Sequence, residues 1–268
     1  DHLGDMDFKV TGTKDGITVH GSHNDTKLKD TDWFKEVTRT PISHKHSLAI
    51  AGGSEKFSHR TVLNIEQNQG ILRNNDANKY MLKSNIRQTA LDGWVNFDVN
   101  LLYAKRKYTG ARYGIFRQAF LHNPTEPVYD PNDKENGGYF TINSMDYYNP
   151  VAMLNERSSN TDVDRFAVNG RITLNILPVK GLKWDNFVSY GGYRYDNYDY
   201  RTKYYPGETG LNGSAEVSNT AADDLQFEST LQYSNKFGKH NVQAIAGYTW
   251  QQQSSRSSYE YNYGFDTD

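Results

Sequence analysis

The sequence feature that most constrains the fold is an alternation of apolar and polar residues with a period of two. In the stretch 94–103, Val, Phe, Val, Leu and Tyr occupy the odd positions, while Asn96, Asp98 and Asn100 separate them. The alternation recurs in three further stretches: 166–176, 225–237 and 242–251. A period of two places alternate side chains on opposite faces of a β-strand. The sequence therefore predicts an all-β chain whose strands each have one apolar and one polar face.

The predicted strands are too long for an ordinary soluble sheet. Soluble strands usually have about five or six residues, whereas a tilted strand needs about ten to cross a membrane. The mean hydropathy of -0.83 is too low for an apolar membrane helix, but it suits a membrane β-barrel with a polar lumen. The net charge of -2 lacks the basic excess of a nucleic-acid surface. With no cysteine, disulfides and Cys-ligated metals are excluded.

The connections between strands give a second signal. We count eight long strands, joined by short turns near 53–55, 92–93, 178–181 and 238–239. Long links alternate with these turns, and membrane barrels likewise alternate short periplasmic turns with long extracellular loops. The predicted organisation is a polar lead-in at 1–40, with a short hairpin and an Asp-Trp-Phe element, followed by transmembrane β-barrel strands at 41–268. The predicted extracellular loops are 68–78, 108–162 and 202–222.

Two other architectures also fit these sequence patterns. Eight strands can close into a complete small outer-membrane barrel, although such barrels usually end in an apolar, aromatic strand and residues 263–268 look like a loop. A soluble β-rich carbohydrate-binding module would also alternate, and it would fold without detergent. The first residues show no signal peptide, which indicates either a mature chain or a fragment.

The sequence offers little for catalysis or metal binding. Asp223 and Asp224 are adjacent and would point to opposite faces of a strand. His44 and His46 share a strand face, as two metal ligands would, but a solvated strand end is the favoured interpretation. The segment 130–137 loosely resembles a calcium loop but fails the EF-hand spacing. We therefore expect no catalytic residue, no cofactor and no metal site, with calcium in an extracellular loop left open.

The 20 tyrosines suggest a binding role for the long loops. Aromatic faces stack on sugar rings, and loop amides and carboxylates can bind hydroxyl groups. Packing of each loop on itself is an equally good explanation for any single aromatic residue. The candidate ligand contacts are five tyrosines: Tyr139, Tyr147, Tyr148, Tyr198 and Tyr204.

Four segments resemble one known family. Residues 30–37 read DTDWFKEV, residues 46–56 read HSLAIAGGSEK, residues 63–71 read LNIEQNQGI and residues 147–152 read YYNPVA. Together they resemble SusC/RagA-family TonB-dependent outer-membrane transporters, although Ser47 and Asn68 depart from the family pattern. The match extends over about residues 30–175.

The resemblance implies that this chain is an internal barrel fragment, with about eight of the 22 strands of a plugged barrel. It implies an outer-membrane location and import of oligosaccharides or peptides. It also implies two partners: a SusD-like surface lipoprotein that covers the extracellular loops, and the TonB complex, which acts through a plug that this chain lacks. The long loops, with their five candidate tyrosines, would contact that lid or the ligand. Lipid would cover the apolar face of the barrel.

Overall fold

The computed structural model describes residues 9–13, 16–20, 25–28, 30–112, 114–142, 146–208 and 210–265. Its main feature is a single antiparallel sheet of eight strands, each hydrogen-bonded to the next in chain order. The strands are β4 (His44–Gly53), β5 (Phe57–Gln69), β6 (Asp76–Ala90), β7 (Val95–Thr109), β8 (Arg157–Asn175), β9 (Leu182–Arg201), β10 (Ser214–Phe237) and β11 (His240–Tyr263). The eight predicted long strands are confirmed.

The short connections all lie at the same end of the strands, as the predicted alternation of short turns and long links requires. Ser54 closes the β4–β5 turn by donating its backbone N–H to the carbonyl of Phe57 at 2.6 Å. Gly181, between β8 and β9, has a φ of +85°, and a Cβ there would lie 1.9 Å from the Ser234 carbonyl oxygen. Only glycine fits such a close approach. The turn chemistry therefore fixes which residues of neighbouring strands face each other.

The register aligns the alternating residues into continuous rows across the sheet. One row on what we call the apolar face consists of Ile86, Val99, Gly170, Val188, Phe227 and Trp250. One row on the opposite, polar face consists of Asn85, Asn100, Asn169, Ser189, Gln226 and Gln251. The rows through Val95 and Tyr103 bound the apolar band, whose length along the strands is about 26 Å at roughly 3.3 Å per residue. This length matches a bilayer crossing by tilted strands.

The two outer strands leave the sheet open. β4 and β11 each pair on one side only within the described residues, so a closed eight-stranded barrel is not formed. The large side chains of the apolar face are exposed, including Val188 at 48% and Trp250 at 40%. Unpaired strand edges and a continuous apolar face both invite association in water.

None of the helices in the described part of the chain is long and apolar enough to cross a membrane.

The lead-in segment forms a second, smaller sheet. β1 (Lys9–Thr13) pairs with β2 (Gly16–His20), as the sequence predicts, and β2 pairs with a third strand, β3 (Asp25–Leu28), that was not predicted. Residues 14 and 15, which join β1 to β2, lie outside the described residues. The Asp-Trp-Phe element forms helix α1 (Trp33–Val37).

The long connections are shorter than the sequence suggests. They span 70–75, 110–156 and 202–213 rather than 68–78, 108–162 and 202–222. The largest correction is in β10, which begins at Ser214 instead of after Ala222. Its first residues are small or polar and give no apolar alternation, but backbone pairing with both β9 and β11 holds them in the sheet.

The apolar core lies outside the sheet, next to the strand ends that are joined by the long connections. We call this end of the sheet the long-loop edge, in distinction from the unpaired outer strands β4 and β11. Helices α1, α2 (Gly114–Leu121) and α3 (Pro150–Asn155) pack there against each other and against Leu72. We call α1, α2, α3 and the connections 70–75 and 110–156 the loop cluster. The buried side chains of the loop cluster are Trp33, Val37, Leu72, Ile115, Ala119, Val128, Tyr139, Val151, Ala152 and Leu154.

Candidate binding site at the long-loop edge

The Asp-Trp-Phe element anchors the loop cluster. Asp32 caps α1 by accepting the backbone N–H of Lys35 at 3.0 Å. The indole N–H of Trp33, which is 3% exposed, donates to the carbonyl of Asn123 at 3.0 Å. The hydroxyl of Thr31 donates to the carbonyl of Glu126 at 2.7 Å. This short motif therefore ties the start of the barrel segment to a connection about 90 residues away in sequence.

The Asn-Pro-Val-Ala motif forms the start of α3. Asn149 caps the helix because its Oδ1 accepts the N–H groups of Val151 at 3.0 Å and Ala152 at 3.2 Å. Its Nδ2 donates to the carbonyls of Val128 at 2.9 Å and Phe140 at 3.1 Å. Asn149 is fully buried, so these four bonds satisfy a side chain that would be costly to bury alone. The motif has a structural role in this fold.

Tyr139, the first candidate ligand contact, is a core residue of the loop cluster. It is 6% exposed, and its hydroxyl donates to Oε1 of Glu156 at 2.8 Å. The carboxyl group also accepts a bond from the Thr202 hydroxyl, so Glu156 links two long connections. Burial raises the pKa of Tyr139 to about 12, which keeps its hydroxyl protonated as a donor.

Tyr147 is partly buried against a histidine. Its ring lies 4.1 Å from the ring of His122, which in turn meets the Trp33 indole edge-on at 4.5 Å. The Tyr147 hydroxyl donates to Oε2 of Glu126 at 2.7 Å, and burial raises its pKa to about 12. His122 is 6% exposed, and burial lowers its pKa to about 4. The imidazole is therefore neutral at pH 7.

Tyr147, Tyr148 and Tyr204 lie together around one cavity. The cavity has a volume of about 480 Å³, and Lys203 and Tyr205 also line it. Such a volume accommodates a small ligand. Two of the tyrosine rings are closely packed by glycines with positive φ. A Cβ on Gly137 would lie 2.8 Å from Cγ of Tyr204, and one on Gly207 would lie 3.2 Å from Cζ of Tyr148.

Tyr198 lies apart from the other candidates. It belongs to β9, two residues before Tyr200, and shares the strand face of Tyr190 in the apolar face. Its side chain is 51% exposed. The neighbouring Asp199 points to the other face and is buried. The structure therefore brings together three of the five candidate tyrosines, buries Tyr139 in the core and places Tyr198 on another face.

The segment that loosely resembles a calcium loop is a tight polar turn. Asp133 accepts the side-chain N–H of Asn136 at 2.9 Å and the hydroxyl of Thr141 at 2.6 Å. These bonds, the one from Thr141 foremost, hold the pKa of the Asp133 carboxyl below its usual range. Asp130 accepts the N–H of Asn132 at 3.0 Å. No group of three or more potential metal-ligating side chains is found in the described part of the chain.

The paired residues singled out in the strands have ordinary strand partners. Asp223 accepts from the Tyr190 hydroxyl at 2.9 Å, whereas Asp224, on the other face, accepts from Gln253 at 2.7 Å. His44 bonds to Oε1 of Gln67 at 2.7 Å, and its ring lies 5.8 Å from that of His46.

The sequence did not predict a network of charged side chains that lies where the long connections leave the sheet. Asp199 forms a salt bridge with Arg157, whose Nε donates to Oδ1 at 3.0 Å, and it also lies 3.4 Å from Nε of Arg201. Arg201 pairs in turn with Glu208. The side chains of Arg157 and Asp199 are only 13% and 9% exposed. The one sequence signal is the spacing of Asp199 and Arg201, which puts opposite charges on the same strand face.

The chain is similar in sequence to known TonB-dependent receptors. The chain is 25% identical over 249 residues to TonB-dependent receptor P26 of Formosa agariphila, covering 90% of this chain and 24% of that protein. It is 25% identical over 167 residues to SusC of Bacteroides thetaiotaomicron, covering 54% of this chain and 16% of SusC. The resemblance to SusC/RagA-family TonB-dependent receptors is confirmed. No family model matches the chain.

Solved structures of the RagAB peptide importer have the same fold. The closed-closed state matches all of this chain and 29% of the importer chain, with 18% identity and a TM-score of 0.69. The open-open state gives a TM-score of 0.70. The predicted fold class, part of a large antiparallel β-barrel, is thereby confirmed. The TonB-dependent receptors that the chain resembles in sequence are outer-membrane proteins, in agreement with the predicted location. The SusC/RagA-like chain spans about a quarter of the length of the curated relative P26.

Proposed function

We propose that this chain forms part of the barrel wall of a TonB-dependent transporter. The transporter imports oligosaccharides or peptides across the outer membrane, together with a SusD-like surface lipoprotein. The TonB complex supplies energy through a plug inside the barrel. No catalytic step, cofactor or resident metal is part of this proposal.

One observation carries the proposal: the sheet has a continuous apolar face, a continuous polar face and all its long connections at one edge. Lipid would cover the apolar band, and the polar face would line the lumen. The open edges at β4 and β11 would pair with further strands, because an unpaired edge is not tolerated in lipid. A soluble module would leave the apolar band exposed to water.

The loop cluster would face the cell exterior and meet the lipoprotein or the ligand. The cavity lined by Tyr147, Tyr148 and Tyr204 supports this assignment, since it combines aromatic faces with polar groups. The relatives known as peptide importers support a peptide, and the resemblance to SusC supports an oligosaccharide. Both ligand classes remain in the proposal.

Cross-linking tests the arrangement of the partners. The chain has no cysteine, so single cysteines can be introduced without background from this segment. Ile142 in the loop cluster is 41% exposed, and Val179 in the β8–β9 turn is 44% exposed. In cells that make the receptor containing this segment, I142C should cross-link to a surface lipoprotein, whereas V179C should not.

Uptake by the same cells tests the transport function. Fluorescent peptides and oligosaccharides should enter in a TonB-dependent manner, and Y204A should reduce uptake more than the control Y198A. Cross-linking of V179C instead of I142C, or uptake independent of TonB, would contradict the proposal.

A further inference from the structure

The polar face carries an unusual row of charges close to the long-loop edge. Lys45 lies opposite Glu66, Glu66 lies opposite Lys79, and Lys79 lies opposite Arg106. The row thus contains three cations and one carboxylate. Arg165 lies one row further from the edge, opposite Ala104. Like charges directly opposite each other destabilise a strand pair. A further negative charge beside Lys79 and Arg106 would therefore stabilise this part of the sheet.

Glu66 supplies one negative charge in this row and interacts electrostatically with Lys45, Lys79 and Arg106, so its three cations and one carboxylate leave an excess of two positive charges. Lys79, Arg106 and Arg165 form no ion pair within 4 Å in the described part of the chain. Glu66 also accepts a hydrogen bond from the neutral side-chain amide of Asn68 at 2.9 Å. By contrast Lys105, the neighbour of Arg106 on the opposite face, lies 3.2 Å from Asp164 and 3.9 Å from Asp162.

The cations surround a cavity with an aromatic wall. A volume of about 520 Å³ is lined by Glu66, Lys79, Arg106, Arg165, Tyr193 and Tyr195. The guanidinium of Arg165 lies 5.4 Å from the centre of the Tyr193 ring, and that of Arg106 lies 5.9 Å from the centre of the Tyr108 ring. Such cation–π contacts position a guanidinium without neutralising it. Arg106 is three residues from the end of β7, about 10 Å below the edge.

We propose that this cavity binds a carboxylate group of the transported ligand. The planar guanidinium group of Arg106 can donate two parallel hydrogen bonds to a carboxylate, and the ammonium group of Lys79 adds a positive charge beside it. Tyr195 offers a face to the adjoining part of the ligand. This inference rests on the proposed transport function, because it places the ligand in the lumen just inside the long-loop edge. Such a site selects ligands that carry a carboxylate group, either an acidic oligosaccharide or an acidic peptide.

Matched ligands separate the effect of charge from the effect of size. One pair is an oligogalacturonate and its methyl ester, and the other is a glutamate-containing peptide and its glutamine version. Binding of each to the purified receptor containing this segment is measured by calorimetry. The wild type should bind the charged member of at least one pair about tenfold more tightly, the difference expected for one charge-assisted contact. Which pair shows the preference distinguishes sugar from peptide.

Two variants test the residues. The double variant K79Q/R106Q should abolish the preference while leaving the affinity for the neutral member within about twofold. The control K107Q removes one positive charge from the opposite face of β7, where Lys107 is exposed, and should keep the preference. Heat-modifiable migration on gels verifies that each variant is folded.

The possible outcomes are distinct. A preference that survives in K79Q/R106Q overturns the carboxylate site. An equal loss for charged and neutral ligands also overturns it, because the cations would then hold the barrel or its plug rather than the ligand. Equal wild-type binding of both members overturns the site but leaves the transport function intact. Binding of neither pair also overturns the carboxylate site as proposed, whereas the transport function is tested separately by TonB-dependent uptake.

Discussion

Acidification should loosen the loop cluster through protonation of His122. The imidazole is 6% exposed and lies between the rings of Trp33 and Tyr147, and its Nδ1 has no hydrogen-bond partner. Burial lowers its pKa from 6.5 to about 4, so the folded cluster binds a proton less well than the unfolded chain. The stabilisation is therefore complete above pH 6.5 and is lost as the pH falls toward 4.

The size of the effect follows from the pKa difference. Between pH 6.5 and pH 5 the loss is 1.5 pH units at about 1.36 kcal/mol each, or about 2 kcal/mol. The opening constant of the loop cluster should therefore rise about thirtyfold at pH 5 relative to pH 7.5.

Hydrogen exchange on the receptor in nanodiscs measures this opening. Peptides covering α2 and residues 122–142 should exchange about thirtyfold faster at pH 5, after correction for the intrinsic pH dependence of exchange. Peptides from β7 serve as an internal reference and should not change. H122F keeps an aromatic ring against Trp33 but cannot be protonated, so it should abolish the effect. An unchanged wild type, or the same acceleration in H122F, would refute the reasoning.

Three further substitutions probe the sheet and the network at its edge. V168R places a charge on the apolar face and should cost about 2–4 kcal/mol; heat-modifiable migration should show poor assembly, whereas N169R on the polar face should assemble normally. D199N removes the buried carboxylate that pairs with Arg157 and should cost about 3–5 kcal/mol. In thermal unfolding, the exposed-pair control D92N should cost under about 1 kcal/mol. Y139F deletes the hydrogen bond to Glu156 and should cost about 2 kcal/mol in the same assay; an unchanged midpoint would contradict its core role.

The sheet was predictable because its signal is local. Alternation of residues such as Val99 and Asn100 assigns each side chain to a face, and turn residues fix the register. The beginning of β10 was not predictable, since Ser214 to Asp224 has little apolar periodicity. Pairing with β9 and β11, which is a property of the whole sheet, keeps that segment extended.

The roles of the individual tyrosines depend on tertiary contacts. Tyr139 and Tyr147 are each followed by a second aromatic residue, yet Tyr139 reaches Glu156 in the core, while Tyr147 stacks on His122 beside the cavity. The charge network likewise joins Arg157 to Asp199 across 42 positions in sequence. Only the register of β8 against β9 brings them together. Sequence alone could therefore identify the loops that carry the candidate site but not its geometry.

The assignment of the two faces of the sheet is the central claim, and site-directed fluorescence along β7 tests it most directly. Residues 97–102 are replaced by cysteine one at a time in the receptor containing this segment and labelled with an environment-sensitive fluorophore. Nitroxide-labelled lipids should quench the label at Phe97, Val99 and Leu101, and not at Asp98 or Asn100. Quenching with no period of two, or at the even positions instead, would contradict the account.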